Sequence, residues 1–159
     1  MFEKKGIEKA TLEIKKYFGY LFEDGFQIVA SKYSYKHFGN WMIVLHSPKC
    51  GIRIYQDRGQ IMVMIGPPWA PANLETLNHY YDLRLIIAFF EKHENIDYHA
   101  DLQHVDLQYE KVSGQFLEYY PRIIELFNRP DFADIEKELG LLQKNILTKS
   151  FPGLFEKRP

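Results

Sequence analysis

Three short runs rich in Val, Ile, Tyr and Trp, namely Trp41 to His46, Ile52 to Asp57 and Gln60 to Ile65, are separated only by Ser47-Pro48-Lys49-Cys50-Gly51 and by Arg58-Gly59. Turn residues between β-prone runs mark hairpins, so this stretch predicts an antiparallel meander. A two-residue loop at Arg58-Gly59 sets Asp57 opposite Gln60, Ile54 opposite Val63 and Ile52 opposite Ile65. Period-two alternation then places Ile52, Ile54, Ile61, Val63 and Ile65 on one face. The preceding hairpin pairs Ile43 with Ile54 and Leu45 with Ile52, which adds Trp41, Ile43 and Leu45 to that face and makes it core. A one-residue slip would mix the two sets. The clean segregation therefore favours this register over a three-residue loop with Gly59 left-handed, although it requires Arg58 at positive φ.

The opposite face carries Met42, Val44, Arg53, Tyr55, Met62 and Met64. Methionine and arginine among apolar residues suit both a surface under a covering helix and an adaptable binding surface. The supply of amphipathic helices elsewhere in the chain favours the covering helix.

Residues 7 to 22 set Ile7, Ala10, Ile14, Tyr17 and Leu21 at the spacing of one helical face, closing near Asp24-Gly25. Phe26 to Tyr35 is β-prone with a blurred alternation and predicts a strand pairing with the one that begins at Trp41, giving a four-stranded antiparallel β-meander. Gly66-Pro67-Pro68-Trp69-Ala70-Pro71 ends the last strand, since proline lacks the donor a ladder needs. A helix over Tyr80 to His93, capped by Asn78, is apolar on nearly every side and is expected between the sheet and other helices.

Leu102, Val105, Tyr109, Val112, Phe116 and Tyr119 trace the longest stripe, which Pro121 is expected to kink or restart. A final helix carries Phe132, Ile135, Leu139, Leu142 and Ile146, and the tail Phe151 to Phe155 either tucks in or frays. The expected fold class is α+β, a four-stranded meander packed with four to five helices as one domain over residues 1–159.

No apolar run approaches the roughly 20 residues of a membrane span, and charged residues follow Met1-Phe2 at once, so neither a membrane partner nor a secretory signal is expected and the cytoplasm is the expected location. A formal net charge of −1, with Lys and Arg scattered among acids, offers no basic stripe for nucleic acid. Cys50, the only cysteine, excludes an internal disulfide and a multi-cysteine zinc site; its turn position leaves room for exposure, but it reads as a small apolar filler. His93, His99 and His104 lie among acids, yet His99 and His104 stand about 140° apart around a helix. No metal and no cofactor is expected. Asp101 is the expected cap of the long helix. No Gly-rich phosphate loop, nucleophile elbow or His-Glu-x-x-His string occurs, which lowers the expectation of an enzyme.

Trp69, His79, Tyr80 and Tyr81 flank the proline loop and are residue types that anchor interfaces and also pack as ordinary aromatics, while Asp57 and Arg58 read as a solvated hairpin tip. Phe38-Gly39-Asn40-Trp41, the hairpin from Ile52 to Gln60 and Tyr81-Asp82-Leu83 resemble small bacterial α+β proteins, the immunity proteins of polymorphic toxin systems, over roughly residues 20 to 95. The resemblance implies a cytoplasmic, non-catalytic protein that neutralises a cognate toxin. The candidate contact residues are Met42, Arg53, Tyr55, Met62 and Met64 on the sheet face, or Arg58, Trp69, Tyr80 and Tyr81 on the rim. The rival reading is a small-molecule binder or enzyme with a pocket between sheet and helices and His79, His99 or His104 as acid-base group. A structural subunit of a larger assembly is a third.

Overall fold

The computed structural model describes residues 1–97 and 104–155. In chain order the elements are α1 (Phe2–Tyr17), α2 (Gly19–Glu23), β1 (Gln27–Ser34), β2 (Asn40–His46), β3 (Gly51–Asp57), β4 (Gln60–Gly66), β5 (Tyr81–Asp82), α3 (Leu83–Glu91), α4 (Val105–Phe127) and α5 (Phe132–Ser150). The five strands form one antiparallel sheet in sequence order.

The expected register holds residue for residue. Ile43 lies opposite Ile54 and Ile54 opposite Val63, Leu45 opposite Ile52 and Ile52 opposite Ile65, and Asp57 opposite Gln60. Arg58 at φ 48° and Gly59 at φ 82° make the two-residue left-handed loop whose twist matches the strands. Asn40 offsets the strain at Arg58: its Oδ1 accepts from Arg58 N at 2.9 Å while its Nδ2 donates to Asp57 at 2.6 Å. The blurred alternation of β1 has a cause. A bulge at Val29 shifts the register between Ile28 and Ala30, so Ile28 faces the core beside Leu45 and Ala30 faces the other way beside Val44.

The first face of the sheet is the core. Ile43, Leu45, Ile52, Ile54 and Ile65 are fully buried there, joined by Ile14 of α1, Leu21 of α2, Leu85 and Ile86 of α3, Phe116 and Ile123 of α4, and Leu139 of α5. Gln108 ties α4 to the hairpin, accepting from Ile61 N and donating to Gly59 O, both at 3.0 Å.

Three expectations are corrected. The first helix starts at Phe2 and breaks at Phe18, whose buried ring replaces a continuous run to residue 22. The sheet has five strands, not four, because Tyr81 and Asp82 pair with Ile65 and Met64; α3 therefore begins at Leu83, with Asp82 rather than Asn78 capping it through Arg84 N at 2.8 Å. Pro121 does not restart the helix, since Phe116 before it and Ile123 after it are buried in the same core, and the Leu117 carbonyl it strands lies on an exposed turn. Cys50 is buried, in keeping with an apolar filler, and burial pushes its thiol up to about 12, the nearby Asp24 carboxylate adding to the effect. The proposed Asp101 cap lies outside the described residues; His104 caps α4, accepting from Asp106 N at 3.3 Å. No helix among the described residues is long and apolar enough to cross a membrane.

Candidate functional site: the second face of the sheet

Strand pairing arranges the second face in rows. Lys32, Met42, Tyr55 and Met62 are successive neighbours across β1 to β4, and the next row runs Ala30, Val44, Arg53, Met64, Asp82. A third row ends in Gly51 opposite Gly66. The expected covering helix is not what lies over it. Residues 67 to 80, with no helix or strand of their own, form a strap across the glycine end. Val44 of β2 and the strap's Ala70 and Tyr80 are buried outside the main core cluster.

Glycine admits this approach. A Cβ on Gly66 would lie 2.6 Å from the His79 carbonyl oxygen and 3.0 Å from Ala70 Cβ, and one on Gly51 would lie 2.5 Å from the Tyr80 hydroxyl. Gly66→Ala is therefore expected to lift the strap and cost about 1–3 kcal/mol, the range for overpacking. Chemical denaturation gives the loss, and faster proteolysis within residues 67 to 80 locates it. Full stability with an unchanged cleavage rate would contradict this packing.

Arg53 is the strap's main anchor. It has no exposed surface, its Nη2 donates to the Pro71 carbonyl at 3.1 Å and to the Asn73 carbonyl at 2.7 Å, and its guanidinium lies 4.1 Å from the centre of the Tyr80 ring. Tyr80 hydroxyl also donates to Pro71 O, at 2.9 Å, and His46 Nε2 donates to Pro68 O at 2.8 Å. Beyond the strap, Met42, Tyr55, Met62 and Met64 stay half-buried. The Tyr55 hydroxyl is pushed up to about 12, by burial first and by the Asp82 carboxylate next, with Arg84 opposing, so it remains a protonated donor at neutral pH.

The residues singled out as a rim do not form one group. Arg58 is exposed at the far end of the β3–β4 hairpin, roughly 20 Å along the strand from Gly51. Tyr80 is buried beneath the strap. Trp69 and Tyr81 do come together, through residues that no sequence pattern links. Trp69, 58 % exposed, is held edge-on between His79 and Phe132 at ring distances of 4.7 and 6.2 Å. His79, at φ 68°, donates from Nδ1 to Glu136 Oε2 at 2.7 Å, and the same oxygen accepts from Tyr81 hydroxyl at 2.6 Å. Burial, and then Glu136, holds the Tyr81 hydroxyl well above its usual range. Glu136 stands 57 residues from His79, and its helix pattern marks it as an ordinary polar position, so no sequence signal joins the two.

An open cleft of about 340 Å3 lies between α3 and α5, lined by Ala88, Phe89, His93 and Leu141 among others. His79 does not line it, His104 is exposed at the start of α4, and His99 lies outside the described residues. Among the described residues no three His, Cys, Asp or Glu side chains are grouped to hold a metal. Compared with known protein families, with curated proteins and with solved structures, the chain matches none.

Proposed function

We propose that this chain is a non-catalytic protein-binding protein that engages its partner through the second face of the sheet, acting in the cytoplasm as an immunity protein that neutralises a cognate toxin. The observation that carries this reading is the row Met42, Tyr55, Met62: adaptable side chains on a rigid sheet, half-buried on the face opposite the main core. Rigid elements present contact residues more accurately than loops, and methionine adapts to its partner. Trp69, set edge-on by His79 and Phe132, is an ordered exposed aromatic on the α5 side of the strap.

An enzymatic reading draws on one feature, the His79 ring oriented by Glu136. The cleft between α3 and α5 does not include it. The protein-binding reading uses more of the molecule.

The partner to test is the product of a toxin reading frame adjacent to the gene for this chain. Tyr55→Ala and Met62→Ala, each shown to be folded, are expected to lose at least about 2 kcal/mol of affinity, as hot spots do. Trp69→Ala and Tyr81→Ala, which lie on the α5 side with Glu136, are expected to lose less. Parental affinity in both Tyr55→Ala and Met62→Ala would remove the sheet face as the interface.

A further inference from the structure

A guanidinium withdrawn from water is tolerated where other groups replace its hydration, and Arg53 has an incomplete set of them. Of its five N–H donors, those on Nη2 reach two strap carbonyls. Nη1 reaches the Met42 sulfur, a weak acceptor, at 3.9 Å, the Tyr80 ring lies against the guanidinium, and the buried Nε has no hydrogen-bond partner. None of the ion pairs among the described residues includes Arg53. The molecule thus holds a fully buried positive charge with spare donors and no carboxylate beside it. Nη1 is turned toward Met42, and Met42 belongs to the half-buried row proposed as the contact surface. Its thioether is the most easily repacked kind of apolar side chain.

We infer that Arg53 receives a carboxylate from the docking protein, an Asp or Glu side chain that displaces the Met42 thioether and pairs with Nη1. This inference rests on the sheet-face reading above and adds the partner's chemistry to it. A charge-assisted pair in a site screened from water by the strap is stronger than the sulfur contact it replaces. Tyr55 and Met62 flank the point of entry and cover the apolar stem that carries the acid.

The test needs no toxin. The full chain carrying [13C-methyl]methionine is titrated with the capped peptide acetyl-Gly-Glu-Gly-amide, with its Gln counterpart and with acetate. The Glu peptide is expected to shift the Met42 methyl signal saturably at millimolar concentration, the Gln peptide to leave it in place, and acetate to bind more weakly than the Glu peptide. Met42→Ala, which opens the path to Nη1, is expected to bind the Glu peptide severalfold more tightly, read on the Met62 methyl. Arg53→Lys, which keeps the charge but loses the planar fork, is expected to bind it roughly tenfold more weakly. The inference is overturned if the Glu peptide causes no saturable shift in either the parent or Met42→Ala, if the Gln peptide binds equally, or if Arg53→Lys matches the parent. Acetate binding as tightly as the Glu peptide would assign the site to free carboxylates and overturn it too. Because the peptide is read without a partner, these results stand apart from the affinities that decide the sheet-face reading.

Discussion

Ile54→Ala is expected to lower the unfolding free energy by about 2–5 kcal/mol, the range for emptying a fully buried aliphatic site. Ile54 has no exposed surface and stands in the middle of the sheet, with Ile43 and Val63 on either side. Neighbouring strands fix its backbone, so the packed helices cannot collapse far into the space left behind. Urea denaturation of the variant reads the effect directly. A loss under about 0.5 kcal/mol, the size typical of surface substitutions, would mean that the first face is not the core.

Arg53→Ala is expected to cost about 3 kcal/mol, whereas Arg53→Met is expected to stay within about 1 kcal/mol of the parent. Alanine removes the stem that fills the space under Tyr80, the ring contact and both carbonyl bonds together. Methionine refills most of that volume and removes the burden of an unneutralised buried charge. The carbonyls it abandons are not stranded either, since Pro71 O still accepts from Tyr80 hydroxyl and Asn73 lies on the exposed side of the strap. Thermal and denaturant unfolding of the two variants give the comparison. Equal losses above about 3 kcal/mol in both would show that charge-assisted bonds, not packing, hold the strap down.

The sheet was legible because β-branched residues segregate under one register only, and Arg58-Gly59 admits the loop that sets it. The strap over the second face was not. A proline-rich segment carries no periodicity, so nothing in residues 67 to 80 announces that it lies on the sheet. Gly51 and Gly66, opposite each other on that face, were the available signal, because two missing side chains in register leave room for another backbone. Burial of Arg53 followed from that same cover. At Pro121 the local rule lost to tertiary packing on both sides of it. The Trp69, His79, Tyr81 and Glu136 group depends on how α5 docks, which one helix's own pattern does not encode.

The chain contains four methionines, and three of them, Met42, Met62 and Met64, lie on the second face, with Met1 at the exposed N-terminus as an internal reference. Methyl spectra of [13C-methyl]methionine-labelled protein, recorded alone and with the adjacent toxin at saturation, therefore read the proposed interface without any mutation. The signals of Met42 and Met62 are expected to move, with Met64 following, while Met1 holds its position. A stable complex in which all three face signals stay at their free positions would contradict the proposed interface.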